Sequence, residues 1–324
     1  MAHPLSFLGS AFLSLSTVLV AEVTPAAPHR SPQFYSNETY AAMTTIFDYD
    51  VGIPLEARVV DRVEDKSSFR EKIAFTTSSG ERVAGWLAIP KGTASPPPCV
   101  LLLHGVGTNK DAWWRPDNPT GPLASRLVQS GYAVFMLDAA FFGERSHVGD
   151  FANPQRFIGG SGWFHRFRSI IVQTVIDYRR ALDYLATRQD LDPQRRAVIG
   201  YSMGGVTAVN LLATEPRLTA GVACVAPPMI ATEQSNPGPF AAAQTRLAAV
   251  APVNHARALG AKRILFLMAT KDEYYTPAAA EALVEMIPGD NKSLKFFDSG
   301  HMLPHSYIDD AIRWIQASLN PEAP

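Results

Sequence analysis

From Cys99 onward the chain alternates short, continuous apolar runs with stretches of helical periodicity, and few folds accommodate that rhythm. The runs are CVLLLHG (99–105), YAVFMLDA (132–139), RAVIGYS (196–202), AGVACVAP (220–227), RILFLMAT (263–270) and LKFFDSG (294–300). They are unbroken rather than alternating, which marks strands covered on both faces. Helical stretches lie between them, near 122–130, 167–188, 203–215, 276–286 and 306–319. The clearest is 167–188, where Ile170, Ile171, Val175, Ile176, Tyr178, Leu182 and Leu185 recur at helical spacing. Such alternation predicts an α/β fold, a mostly parallel central sheet with helices on both faces. Upstream, residues 71–90 (EKIAFTTSSGERVAGWLAIP) hold two β-rich runs around Ser79-Gly80-Glu81 and predict an antiparallel N-terminal hairpin.

One turn in this framework carries chemistry. GYSMGG (200–205) places Gly200-x-Ser202-x-Gly204 directly after an apolar strand and before a helix. The tripartite context matters more than the motif. A strand that turns sharply into a helix projects the serine hydroxyl into the crevice at the C-terminal end of the sheet. The flanking glycines are required because side chains there would clash. Ser202 is therefore the candidate nucleophile.

A serine hydroxyl needs a base. Of eight histidines, His301 follows the last strand in FFDSGHM, on the same sheet edge as Ser202. His305 and His255 are the alternatives. The base in turn needs an orienting acid, and RILFLMATKDEYYTP puts Asp272 just beyond the preceding strand. Glu273 and Glu233 compete for that role, and Asp272 can also be read as a cap for a helix beginning near Pro277. The chain order Ser202, Asp272, His301 is the one expected for a triad on an open α/β sheet. A metal pair of His301 and His305 is disfavoured by Pro304 between them and by the lack of a third ligand, so no metal and no cofactor are expected.

An oxyanion forming at Ser202 needs two N–H donors. Met203, first after the nucleophile, offers one, and Val106 in LLLHGVG offers the other, with His104 bracing that loop. Aromatic residues on loops near the expected mouth, Trp113, Trp114, Phe141, Phe142, Trp163 and Tyr274, are candidate substrate contacts, with Phe164 and Tyr275 beside them. Some of these aromatics are expected to be core.

These segments together resemble the α/β-hydrolase superfamily over residues 71 to 320, especially its dienelactone-hydrolase-like and acetyl-esterase-like branches. LLLHGVGTNKD resembles their oxyanion loop, DYRRALDYLATRQDLDPQRRAVIGYSMGG their helix–strand–turn block, and MATKDEYYTP and SGHMLP their acid and histidine segments. The departures are specific. Dienelactone hydrolases carry cysteine where Ser202 stands. The cephalosporin/acetyl xylan esterases carry glutamine and glutamate where Met203 and Met302 stand. Lipases with an HGGG loop differ at Val106, and the aspartate of dehalogenases and epoxide hydrolases is absent. The resemblance implies a serine carboxylesterase that forms an acyl-enzyme on small or medium esters. A prolyl-oligopeptidase-like peptidase is the alternative, though the 98 residues before Cys99 are too few for a propeller. A non-catalytic binding protein of the same fold is the third reading.

Charge narrows the partners. Lys and Arg number 29 against 30 Asp and Glu, with no basic stripe, so no nucleic acid is expected and a small-molecule ester is. The uncharged stretch 5–21 (LSFLGSAFLSLSTVLVA) is too short and too serine-rich for a stable membrane span. It fits a signal peptide, with 1–27 as signal and linker and the protein secreted or periplasmic, otherwise cytoplasmic. Residues 28–70 then form an N-terminal extension and 71–320 the catalytic domain, within which 228–259 is either a lid insertion or a helix and loop. Cys99 and Cys224 each sit in a strand-like run and are expected to be buried and free.

Overall fold

The computed structural model describes residues 35–146, 162–230, 240 and 243–320. The expected signal segment, Glu233 and part of the 228–259 insertion lie outside the described residues. The described strands are β1 (Arg58–Glu64), β2 (Ser68–Thr76), β3 (Arg82–Pro90), β4 (Cys99–Leu103), β5 (Ala133–Leu137), β6 (Arg196–Tyr201), β7 (Ala220–Cys224), β8 (Arg263–Ala269) and β9 (Lys292–Phe297). They form one sheet in the order β1-β2-β3-β5-β4-β6-β7-β8-β9. β5 through β9 run parallel with β4, from Cys99 opposite Ala133 and Arg196 to Ala269 opposite Phe297, while β1, β2 and β3 are antiparallel.

The central strands β4, β5, β6 and β7 are buried at every position, as unbroken apolar runs require. Each fully buried Leu, Val or Ile there contributes roughly 1.5–3 kcal/mol. The α-helices among the described residues are α1 (Asn37–Thr44), α2 (Leu123–Gln129), α3 (Trp163–Ala186), α4 (Met203–Thr214), α5 (Pro252–His255), α6 (Pro277–Met286) and α7 (Tyr307–Leu319). α2 and α7 cover one face of the sheet, and α3 to α6 cover the other. Cys99 and Cys224 are buried and free.

The two sheet edges depart from expectation. β9 reads as a covered strand, yet most of its positions are half-buried because it lies at the sheet's outer edge. At the other edge the stretch 36–70 shows little periodicity, yet it supplies β1, exposed at every residue and bulged between Val59 and Asp61. The rest of that stretch packs on the helical layer. Phe47 is fully buried, and Arg179 and Arg180 of α3 donate to the carbonyls of Phe47 (2.8 Å) and Ile53 (2.6 Å). The hydroxyl of Tyr40 donates to His255 Nδ1 at 3.0 Å, and His255 Nε2 donates to the Ala249 carbonyl, also at 3.0 Å.

This topology fixes where a ligand can sit. From β4 the chain steps to β5 on one side, and β6 takes the other, so the loops after β4 and β6 diverge and open a crevice at the C-terminal ends of the strands. Tyr178 of α3 props the divergence. Its hydroxyl accepts from Leu137 N–H (2.9 Å) and donates to the Leu102 carbonyl (2.5 Å), replacing a rung where β4 and β5 separate.

Candidate active site

Ser202 occupies the single residue between β6 and α4. Its φ of +56° with ψ of −117° is a conformation that side chains other than glycine rarely adopt, at a cost of about 1–3 kcal/mol. The surroundings hold it there. Ser202 N–H donates to the Cys224 carbonyl at 2.8 Å, and the Ser202 carbonyl accepts from Val206 N–H at 3.0 Å. A methyl on Gly200 would overlap the Gly204 carbonyl, and one on Gly204 would overlap the Leu103 carbonyl. Both glycines are therefore dictated by packing around the turn.

The loops after β8 and β9 bring Asp272 and His301 to this turn. His301 Nε2 lies 2.7 Å from Ser202 Oγ, and His301 Nδ1 lies 2.8 Å from Asp272 Oδ2. An ionised carboxylate only accepts, so Nδ1 carries the proton and Nε2 is left to accept the serine hydrogen. The Asp272 side chain is fully buried and that of His301 is 15% exposed, so the imidazole is accessible while the carboxylate beside it is not. The second oxygen of Asp272 accepts Tyr274 N–H at 2.9 Å. Helix α6 is capped instead by Thr276, whose hydroxyl accepts Ala279 N–H at 3.2 Å.

The described alternatives lie apart from this line. Glu273 is exposed. His305 donates to the Pro119 carbonyl at 3.1 Å, and His255 is buried under the N-terminal segment. Among the described residues no group of three or more His, Cys, Asp or Glu is placed to hold a metal, and no helix is long and apolar enough to cross a membrane.

A residue that sequence reasoning passed over ties the histidine loop to the serine turn. Tyr201, immediately before Ser202, donates to the His301 carbonyl (3.1 Å) and accepts Leu303 N–H (2.7 Å). Burial raises its pKa, so the phenol stays protonated and keeps its donor. Its only sequence signal was its place inside the Gly-x-Ser motif.

On the opposite flank lies the loop after β4. Gly105 lies against the serine, since a methyl built on it would come within 3.3 Å of Ser202 Cβ. His104 is buried, and its Nε2 accepts Ala139 N–H at 2.9 Å. An amide can only donate, so the His104 proton sits on Nδ1, which donates to the Gly105 carbonyl at 2.8 Å. Burial pushes the His104 pKa down, keeping the ring neutral. Met203 opens α4, so its N–H has no partner within the helix. Val106 is exposed beside the turn.

The aromatic candidates divide. Tyr274 packs edge-on to His301 with ring centroids 4.7 Å apart. Phe240, 5.9 Å from Tyr274, connects it to Trp163 at 5.3 Å. Phe141 is half-buried at the end of β5, with a left-handed backbone. Three others are corrected. Trp113 is 2% exposed and Phe142 is 1% exposed, so neither offers surface to a ligand; Phe142 packs edge-on to His104 at 5.5 Å. Trp114 lies under the Arg70 guanidinium at 5.0 Å. Arg70 is in register with Ala88 and so with Val134, near the N-terminal end of β5, away from the crevice. Tyr275 is also core, its hydroxyl accepting Ala269 N–H at 2.9 Å.

Comparison with known families agrees with this topology. A family model described as the alpha/beta hydrolase fold matches residues 98–262, just over half of the 324 residues. The chain belongs to the α/β-hydrolase fold family. Among solved structures, this α/β hydrolase is similar to an acetyl xylan esterase from Paenibacillus sp. R4, with a TM-score of 0.64 and 20% identity, covering 91% of this chain and 97% of that one. It is also similar to a glucuronoyl esterase from Solibacter usitatus, with a TM-score of 0.60 and 15% identity over 87% of this chain and 92% of that one. In sequence it is 25% identical to YtaP of Bacillus subtilis strain 168 over 173 residues, 51% of this chain and 55% of that protein. It is 26% identical to YfhR of Escherichia coli K12 over 145 residues, 44% of this chain and 41% of that protein. The chain thus spans about half the length of the relatives it matches, or less.

Proposed function

We propose that the chain is a serine carboxylesterase working through an acyl-enzyme, with Ser202 as nucleophile, His301 as base and Asp272 as orienting acid. The observation that carries the reading is the continuous hydrogen-bonded line from Ser202 Oγ through His301 to a fully buried Asp272 at the sheet's C-terminal rim. The esterase names borne by its structural neighbours support the same choice of reaction.

In this mechanism Ser202 Oγ attacks the ester carbonyl as His301 Nε2 takes its proton. The tetrahedral oxyanion is held by the N–H groups of Met203 and Val106, each worth about 3 kcal/mol in the transition state. Collapse expels the alcohol, which takes the proton back from His301. Water then attacks the acyl carbonyl as the same nitrogen takes its proton, and that proton passes to Ser202 Oγ as the C–Oγ bond breaks and the acid leaves. The aromatic surface running from Tyr274 through Phe240 to Trp163 begins beside His301, where the leaving alcohol departs, and supports esters of small or medium size with a modest apolar group. The uncharged segment 5–21 supports export, with 71–320 as the catalytic unit.

The test is direct. A fluorophosphonate probe is expected to label the protein once per chain, and p-nitrophenyl acetate to be turned over. Both are lost in Ser202→Ala, with turnover falling about a millionfold. Matched ester and amide substrates sharing one acyl group should show the ester strongly preferred. Preference for the amide would move the assignment to a peptidase, and ligand binding without labelling would move it to a binding protein.

A further inference from the structure

We infer that the buried Lys110–Asp138 ion pair is a positioning device that sets the direction of the Val106 N–H. The inference rests on the esterase reading, because that N–H is taken there as an oxyanion donor.

The loop from His104 to Lys110 is fastened at both ends to two consecutive residues, Asp138 and Ala139, just past the end of β5. At one end His104 Nε2 accepts Ala139 N–H, while His104 Nδ1 holds the Gly105 carbonyl. The peptide joining Gly105 to Val106 is trans and planar, so its N–H points opposite to its carbonyl. Fixing the Gly105 carbonyl on His104 therefore turns the Val106 N–H away from that ring. At the other end, Asp138 Oδ1 accepts Lys110 N–H at 2.9 Å, and Oδ2 accepts both the Lys110 ammonium (2.9 Å) and Glu144 N–H (2.8 Å). Neither side chain is exposed. Asp111 and Glu144 complete the shell around the ammonium at 3.3 and 3.4 Å. Gly143, with φ of +52°, gives the carboxylate its room, since a methyl there would overlap it.

Between the two fastenings lie only Val106, Gly107, Thr108 and Asn109, so the span available to the donor peptide is fixed at both ends. A buried ion pair is a weak source of net stability, and an apolar pair of similar volume often serves the core as well. Its place here, tethering the loop that carries Val106, fits a role in orientation rather than in stability.

The experiment compares wild type, Lys110→Met and the neutralised pair Lys110→Met/Asp138→Asn. Each is measured for kcat and KM on one ester, for the pH profile, and for inhibition by a trifluoromethyl ketone, whose adduct carries an oxyanion. Both variants are expected to lose kcat by about 10- to 100-fold, part of the 10²–10³ that removal of a whole donor costs. KM should stay within about twofold, the pH profile should be unchanged, and the ketone should weaken in step with kcat/KM. Intact kcat in folded variants, a loss in KM alone, or failure of both variants to fold would overturn the positioning role while leaving the esterase reading in place. A wild-type protein that neither hydrolyses esters nor takes the fluorophosphonate would remove the esterase reading, and this inference with it.

Discussion

The two flanks of Ser202 are each built around a histidine at the end of a strand, and the histidines are used in opposite ways. On one flank His301 is 15% exposed and presents Nε2 to a hydroxyl, a group that can surrender its proton. On the other, His104 is 2% exposed and presents Nε2 to the amide of Ala139, a group that cannot. The acids differ to match. Asp272 serves the His301 imidazole and one backbone amide, whereas Asp138 is saturated by two amides and an ammonium. Burial alone would lower the Lys110 pKa, but Asp138, Asp111 and Glu144 hold it above its ordinary value, while burial of His104 favours its neutral ring. The lesson is that residue type does not decide a role; the partner facing each nitrogen does. On the proposed reading one side moves a proton and the other stays still.

The sharpest way to break this contrast is Asp272→Asn. The amide can offer its hydrogen to Nδ1, inviting the tautomer with the proton on Nε2, and kcat is expected to fall about 10⁴-fold with the fold intact. A loss below tenfold in steady-state kinetics would mean that His301 does not depend on its acid.

A third histidine extends the comparison. Burial holds the His255 pKa at about 4, well below its ordinary 6.5, so the unfolded chain binds this proton first. Its contribution to stability is therefore complete above about pH 6.5 and is lost as pH falls toward 4, by up to roughly 3 kcal/mol. Denaturant unfolding at pH 7 and pH 4.5 should show a smaller acid loss in His255→Gln, whose amide can still serve Tyr40 and Ala249. An equal acid loss in both proteins would mean that protonation of His255 is not what loosens the N-terminal segment.

A milder effect is expected from His104→Ala. Removing the brace frees the Gly105 carbonyl and strands Ala139 N–H, and kcat should drop roughly 10- to 100-fold without displacement of the pH limbs. Movement of those limbs would show that His104 titrates after all. The smallest effect is expected at Val60, exposed in β1 far from both flanks. Val60→Thr should change unfolding free energy by less than about 0.5 kcal/mol and leave turnover unaltered, setting the floor against which the other changes are read.

How much of this was legible depended on burial. β4 to β8 announced themselves because strands covered on both faces must be apolar throughout. Ser202 and Asp272 could be singled out because each succeeds such a strand, and His301 because it succeeds β9, whose apolar run is only half covered. β1 was illegible for the opposite reason: a strand exposed along its whole length has no buried face to write a pattern. The aromatic candidates show a different limit. Trp113 and Phe142 lie on loops near the crevice, as Tyr274 does, and only packing separates core from surface. Lys110 and Asp138 were missed because charges in a sequence suggest solvent, and nothing local signals that two of them, 28 positions apart, are buried together.

Tyr201 carries a consequence of its own. Because the phenol that grips the backbone around His301 belongs to the residue preceding Ser202, the gap between hydroxyl and imidazole is measured by one rigid ring rather than by the sum of two loops. Variation in the connections beyond β7 and β8 can then reshape the entrance without detuning the distance on which the proposed proton transfer depends.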